Sequence, residues 1–275
     1  MGHVGRVESV WRYPVKSMGG EKLPSAFLGY AGVYGDRVYA FHSSAAHRRF
    51  PYLTAREREE MLLCRPVFLH PDRMAAPPNL AEAEAAPPGL TPVYGSAEDA
   101  ALEVWLPSGE RLAIDDPALA EWLGMGGREG QVLSLLHSHH AMTDCRPVSL
   151  FSVQTARRIG AETGFAVETR RFRANVVLDL RDEAGGDAPG FAEDGFVGRT
   201  LRIGERAMVA VLDRDPHCKM IALDPDTAAM DGAILKCVGQ GHEGRAGVYG
   251  AVLVEGTVRP DDPVVCLDGT VNLSR

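Results

Sequence analysis

A chain of 275 residues, 45% hydrophobic and 24% charged, has the length of one large or two ordinary domains and enough apolar residues for a sizeable core. Its formal net charge of −8 speaks against nucleic acid or an anionic membrane as partner, since both reward clustered Lys and Arg. No apolar run approaches the roughly 20 residues that cross a bilayer, and the first ten residues carry no secretory or transit pattern.

Residues 4–15 alternate as a strand, with Val7, Ser9, Trp11 and Tyr13 on one face. Pro14 ends it, which places Lys16 and Ser17 in a loop at a sheet rim. Arg37 to Phe41 reads as the next strand after a glycine-punctuated turn. Thr54 is a candidate N-cap for a short helix over 52–62. The Ala-, Pro- and Glu-rich stretch 75–92 reads as an exposed loop. Residues 102–114 form a hairpin around Pro107-Ser108-Gly109, and Asp116-Pro117 opens a helix that Gly124 ends. Gly126-Gly127 marks a boundary, which divides the chain into units 1–128 and 129–275.

In the second unit, a strand over 133–136 runs into His137, His139 and His140, which stand at no recognisable metal-ligand spacing. A strand over 148–151 follows, and Ser152 caps a helix that ends near Gly164. The apolar alternation Phe172, Ala174, Val176, Leu178 predicts a strand with Arg173 and Asn175 on its other face. A hairpin around Gly204-Glu205 delivers Cys218, flanked by Arg214, His217 and Lys219. Nearby cations favour the thiolate, the form that attacks electrophiles and binds metals. A helix over 231–240 turns Ala233, Ile234, Cys237 and Val238 to the core, and strands over 247–258 and 264–267 close the chain. Many short strands with a few short helices predict a mainly β fold, two β-barrel-like domains decorated with helices. The cysteines Cys64, Cys145, Cys218, Cys237 and Cys266 are odd in number and hold no C-x-x-C pair. A disulfide framework and a cysteine-ligated iron–sulfur cluster are therefore not expected, and a reducing, cytoplasmic setting fits.

Several short motifs occur in one characteristic order: Tyr13-Pro-Val-Lys-Ser17, Gly35-Asp-Arg37, Asp144-x-x-Pro-Val148, Phe172-Arg-x-Asn175, Ala192-Glu-Asp194, and Cys218 followed by Asp224-Pro-Asp-Thr227. In this the chain resembles the MOSC family (molybdenum-cofactor-sulfurase C-terminal domain) with its N-terminal β-barrel partner, and within it the amidoxime-reducing component type. The resemblance implies a molybdopterin-type molybdenum cofactor. Lys16, Ser17, Arg37 and Arg173 would hold it, together with the loop Asp144-Cys145-Arg146. Asn175 would meet the pterin edge, and Pro216 and His217 would flank Cys218, the catalytic thiolate ligand on molybdenum. It further implies reduction of N-hydroxylated or otherwise N-oxygenated small molecules. No flavin, nicotinamide or cluster motif is present in this sequence, so electrons would come from a separate flavin, haem or iron–sulfur protein. A non-redox cofactor-binding or persulfide-carrying protein stays open as the alternative. His217, where the family often has Arg, replaces a permanent charge by one that titrates, and Arg146 could supply the missing charge.

Overall fold

The computed structural model describes residues 2–85, 95–182 and 184–267. In chain order these form β1 (Gly2–Arg12), β2 (Glu21–Leu23), β3 (Ala26–Gly29), β4 (Gly32–Val33), β5 (Tyr39–His47), β6 (Phe50–Tyr52), β7 (Arg65–Phe68), α1 (Leu80–Ala85), β8 (Leu102–Trp105), β9 (Arg111–Ala113) and α2 (Pro117–Gly124). There follow β10 (Leu133–His137), β11 (Val148–Ser152), α3 (Val153–Thr163), β12 (Val176–Leu180), β13 (Thr200–Ile203), β14 (Ala207–Pro216), α4 (Gly232–Gly241), β15 (Arg245–Val254), β16 (Gly256–Val258) and β17 (Pro263–Leu267). The fold is mainly β with short helices, as the turn-rich sequence predicts.

Seven strands close into a barrel in the order β12, β11, β15, β14, β13, β17, β1, and β1 returns to pair with β12. Every neighbour pair is antiparallel except β11 with β12. A parallel pair needs a crossover, which α3 supplies. Ser152 caps α3 by accepting from the Thr155 N–H, and Gly164 ends it at φ 85°, a left-handed cap that a Cβ would disfavour. The barrel fills with Val7, Val10, Leu178, Ile203, Val209, Val211, Val248 and Val264, all fully buried. Each such side chain contributes about 1.5–3 kcal/mol relative to exposure. At the closing seam, Gly5 sits at φ 150°, and a Cβ there would lie 2.2 Å from the Asp179 carbonyl oxygen. Only glycine lets β1 and β12 approach that closely. On its outer side β12 is covered by α3, where the Gln154 amide meets the Asp179 carboxylate and both backbone groups of Leu180.

Strands β5, β6 and β10 form one three-stranded sheet and β7, β8 and β9 another. They enclose a second core around Phe41, Leu53, Met61, Leu102, Val104, Leu119 and Leu123. A third cluster, with Phe151, Ile159, Phe172, Ile234 and Val238, packs α3 and α4 onto the barrel. The proposed units 1–128 and 129–275 exchange strands. β1 lies in the barrel built by the second unit, β3 pairs with β16, and β10 pairs with β5 of the first. The segment after Cys218 ties the cores together, with Ile221 in the helical cluster and Leu223 in the N-terminal one.

Three local expectations are corrected. The helix expected over 52–62 is a 3-10 turn at Glu59–Leu63, because Met61 and Leu62 turn into the core and shorten the element. Thr54 pairs with Glu57 through its hydroxyl and its N–H, a capping arrangement without a full helix behind it. The loop expected over 75–92 contains α1, and its residues 86–92 lie outside the described ones. The strand expected from 172 begins at Val176, since residues 169–172 make a 3-10 turn and Arg173 stands at φ 54°. Cys237, on the core-facing side of α4 as expected, is half-buried and packs against the helical cluster while its thiol also bonds to Glu162.

Candidate functional site

The chain from β1 into the following turn carries the first part of the site. Asp36 is fully buried; its carboxylate accepts the Tyr13 N–H at 2.8 Å and pairs with Arg37. That carboxylate fixes the end of β1 against the segment after Gly35. The Tyr13 ring then lies under two guanidinium groups, with Arg37 at 4.9 Å and Arg173 at 4.2 Å from its centroid. Cation–π contacts of this kind need positive groups held over the ring face. The Arg37 side chain also donates to the Arg173 carbonyl at 3.1 Å.

Ser17, Arg37 and Arg173 all have left-handed backbones, at φ 67°, 47° and 54°. Non-glycine residues there cost free energy and gather at functional sites. All three are residues that the sequence marks as cofactor-holding.

These residues line one cleft with Lys16, Asp144, Arg146, Asn175, Pro216, His217 and Cys218. Ten of the eleven sequence-marked cofactor residues meet there. Cys145 does not: it is exposed and is not among the cleft's lining residues. Eight further lining residues were not marked as site residues: Thr143, Phe172, Met220 and Ile221, and the polar or charged Ser149, Arg171, Asp215 and Tyr249. The cue for Asp215 was its place three residues before Cys218; Tyr249 reaches the site only through the β14–β15 pairing, which brings Asp213 opposite it with a bulge on either side.

The polar partners divide the lining into committed and open groups. The Lys16 ammonium donates to Asp144 and to the Met142 carbonyl, and burial lowers its pKa in spite of Asp144. Burial alone would lower the Arg37 pKa as well, but the adjoining Asp36 more than offsets it and the guanidinium is held protonated more firmly than usual. Arg171 pairs with Asp224 at 2.8 Å. The same carboxylate accepts the Asp226 and Thr227 N–H groups and the Thr227 hydroxyl, so the Asp224-Pro-Asp-Thr227 motif is a turn that braces a cleft arginine. The Asn175 carboxamide oxygen accepts from the N–H and hydroxyl of Ser149, and its NH2 donates to the Trp11 carbonyl. It fastens β1 to β11 at the cleft wall. Arg171 and Arg173 each keep one nitrogen, Nη1 and Nη2 respectively, shut off from solvent without a hydrogen-bond partner. For Arg173, burial, with Arg37 among its neighbours, pushes the pKa down to about 10. An orphaned buried cation of this kind is costly unless a ligand completes it.

The charges flanking Cys218 are placed otherwise than the sequence suggested. Arg214 pairs with Asp194 at 2.8 Å and Glu243 at 2.9 Å, and Lys219 pairs with Glu59 at 2.5 Å. Burial pushes the His217 pKa down to about 4. Its Nε2 lies 2.7 Å from the Ala246 carbonyl oxygen and so carries the proton, with the ring against the edge of Phe172. His217 is therefore neutral at physiological pH rather than a titrating charge. The positive groups that share the thiol's cleft come from other elements: Lys16, Arg37, Arg146, Arg171 and Arg173. Cys218 itself follows β14 and precedes a 3-10 turn at Lys219–Ala222, half-buried at the cleft wall.

Among the described residues, the sole cluster of three metal-capable side chains is Glu162, Cys237 and His242. Cys218 therefore has no set of companion ligands, and His137 and His139, 5.2 Å apart between ring centroids, do not join it. A bare zinc ion needs three or four protein donors. A lone thiolate suits a soft metal that brings most of its ligands with it.

Asp215 yields a pH prediction. Burial pushes its pKa up to about 8, against the bond from the Tyr249 hydroxyl. In the unfolded chain the carboxyl ionises near pH 4. The folded form therefore binds a proton that the unfolded form has lost, and this group's contribution to stability falls as pH rises from about 4 to about 8. Asp215→Asn removes that loss. In thermal melts its Tm is expected to gain on the wild type progressively across that window and to keep a constant offset below it. A difference that does not vary with pH would contradict the assignment.

Residues 4–123 match the sequence model of the MOSC N-terminal beta barrel domain, and residues 137–265 match that of the MOSC domain. Among solved structures, YiiM from Geobacillus stearothermophilus is 22% identical, with 45% of this chain and 55% of that one covered and a TM-score of 0.33. The YUAD protein from Bacillus subtilis is 12% identical, with 95% and 94% covered and a TM-score of 0.45. YiiM from Escherichia coli is 19% identical, with 46% and 58% covered and a TM-score of 0.31. The matches thus span little more than half the length of each YiiM chain. No curated protein matches.

Proposed function

Because the chain belongs to the MOSC family and carries its N-terminal beta barrel domain, we propose that it is a molybdenum-cofactor-dependent oxidoreductase acting on N-hydroxylated or otherwise N-oxygenated small molecules. The observation that carries the reading is the pairing, in one cleft, of a thiol without companion ligands and a buried arginine nitrogen without a partner. The cofactor described by the family resemblance has the two complementary parts, a metal already held by sulfur and an anionic phosphate.

The Arg173 Nη2 would donate to the phosphate, with Arg37 and the Ser17 turn beside it. Charge-assisted bonds of this type are about twice as strong as neutral ones. Lys16 would reach the same group on leaving Asp144. Asn175 holds the cleft wall in place, and the neutral His217 ring is held by the Ala246 carbonyl and Phe172. Cys218 would be the protein ligand on the metal. When bound, the cofactor's molybdenum supplies a two-electron reduction: R–NHOH, two electrons and two protons give R–NH2 and water. Burial pushes the Asp215 carboxyl up to about 8, so it would be one of the cleft groups able to hold a proton at neutral pH. We place the electron source in a separate donor protein and the enzyme in the cytoplasm. Among the described residues no helix is long and apolar enough to cross a membrane.

The test is turnover by protein made in a molybdopterin-competent host, with a chemical reductant as electron source and amidoximes, hydroxylamines and N-oxides as substrates. Formation of the amidine or amine, in proportion to bound molybdenum, is the expected result. Molybdenum-loaded protein inert toward all three classes would overturn the substrate assignment. A persulfide on Cys218 with no bound molybdenum would point instead to sulfur carriage.

A further inference from the structure

The ends of α3 and α4 meet at a cluster that the cleft does not use. Glu162 stands in the last turn of α3, Cys237 on the flank of α4, and His242 at the C-cap of α4. One carboxylate oxygen of Glu162, Oε2, takes both contacts: Cys237 Sγ at 3.1 Å and His242 Nε2 at 2.7 Å. The three ligand-capable atoms all lie within 4.8 Å of one another. None of the three residues lines the Cys218 cleft.

We propose that Glu162, Cys237 and His242 form a second metal site, one that takes a divalent zinc-type ion and is separate from the Cys218 cleft. The donor set is one sulfur, one imidazole nitrogen and one carboxylate oxygen, the ligand types that zinc takes in proteins. Hard ions such as magnesium and calcium take all-oxygen sets and have no use for the thiol. Three protein ligands leave a fourth position for water, and the exposure of Glu162 puts that position at the surface.

Neighbouring groups already orient the ligands. The Arg158 Nε holds the other Glu162 oxygen, Oε1, at 2.6 Å, which leaves Oε2 aimed at the cluster. The His242 ring is stacked on Phe191, with centroids 3.8 Å apart and planes at 17°. Outer contacts that fix carboxylate and imidazole ligands are the usual surroundings of a metal site. A zinc tetrahedron with bonds of about 2.0–2.3 Å has edges of roughly 3.3–3.6 Å, so small side-chain rotations convert the hydrogen-bonded triangle into a coordinating one. The protons balance: the metal displaces the thiol proton to solvent, and the imidazole proton moves from Nε2 to Nδ1. The Glu162 carboxylate, held down to about 2 by its bonds to His242 and Cys237, has no proton to lose. Bound metal would lock α3 to α4, and with them the helical layer over the barrel.

Cobalt(II) is the probe, because its thiolate charge-transfer and tetrahedral d–d bands report the ligand set directly. Wild-type full-length protein is expected to bind one cobalt with a single-thiolate tetrahedral spectrum, displaced by zinc. That spectrum should persist in Cys218→Ser, which separates this site from the proposed molybdenum ligand. It should disappear in Cys237→Ser, and affinity should fall at least about tenfold in His242→Gln and in Glu162→Gln. As a second readout independent of any variant's folding, zinc at a hundredfold excess over its Kd should raise the wild-type Tm by about 5 °C or more. Absence of a thiolate band in the wild type, or a band lost in Cys218→Ser and kept in Cys237→Ser, would overturn the proposal. So would zinc with no effect on the wild-type Tm. Each of these leaves a hydrogen-bonded brace between two helices.

Discussion

Cys218→Ser is expected to abolish turnover, lowering kcat by more than about a hundredfold, a loss that changes to outer contacts of a metal site can already reach. A serine hydroxyl is nearly the same size as the thiol, but it stays protonated at neutral pH and is a hard donor for a metal held by sulfur. The fold should hardly notice. Cys218 is half-buried at the mouth of β14, and its neighbours Ile221 and Leu223 do the packing on either side. Its Tm is therefore expected to stay within about 2 °C of the wild type, in keeping with a substitution that creates neither cavity nor buried charge. Activity is followed by amine formation and stability by calorimetry. A variant that keeps its turnover removes Cys218 from the chemistry. One that loses activity together with its Tm shows only that the segment was disrupted.

Arg173→Met separates binding from stability in the opposite sense. The shorter, uncharged side chain gives up the cation–π contact with the Tyr13 ring but also removes a buried nitrogen that has no partner. An unsatisfied buried donor costs about 1–3 kcal/mol, against a cation–π contact worth about 0.5–2 kcal/mol. The ligand-free variant is thus expected to be as stable as the wild type or more so, by up to about 1 kcal/mol. Anion binding moves the other way. Loss of a charge-assisted bond worth about 1.5–3 kcal/mol weakens phosphate or molybdopterin binding by roughly 10- to 150-fold. Denaturant unfolding of the ligand-free protein and calorimetric titration with phosphate measure the two effects separately. A large loss of stability with unchanged phosphate affinity would make Arg173 a structural residue. Arg12 offers the contrast: its guanidinium bonds to Glu21 and to the Met74 and Tyr34 carbonyls, so its charge is spent within the fold.

The local parts of this fold were legible in the sequence for local reasons. Asp116-Pro117 and Ser152 with Gly164 announced α2 and α3, because caps and a left-handed glycine act within one turn of chain. Short alternating runs between glycines and prolines announced the strands. Their pairing was not legible. β1 finds β12 and β17 across more than 160 residues, and nothing in residues 2–12 states that register. The same distance hid the electrostatics of Cys218. Arg214, His217 and Lys219 are its neighbours in sequence, yet Asp194, Glu243, burial and Glu59 claim them, and the cleft draws its charge from residues 16, 37, 146, 171 and 173. The alternation from Phe172 to Leu178 misled for a physical reason. Phe172 and Ala174 are buried in the helical cluster and Val176 and Leu178 in the barrel, so one apolar pattern serves two cores, and the left-handed Arg173 keeps its first part out of the strand. The ordered motifs were still informative, since ten of eleven marked residues line one cleft.

The most direct measurement is the molybdenum and pterin content of wild-type protein from a molybdopterin-competent host, taken beside Cys218→Ser, with the absorption spectrum of each. The account predicts near-stoichiometric molybdenum in the wild type, with a molybdenum–thiolate absorption that is missing in the variant. Wild-type protein that is folded, made beside an active cofactor supply, and free of both molybdenum and pterin would contradict it.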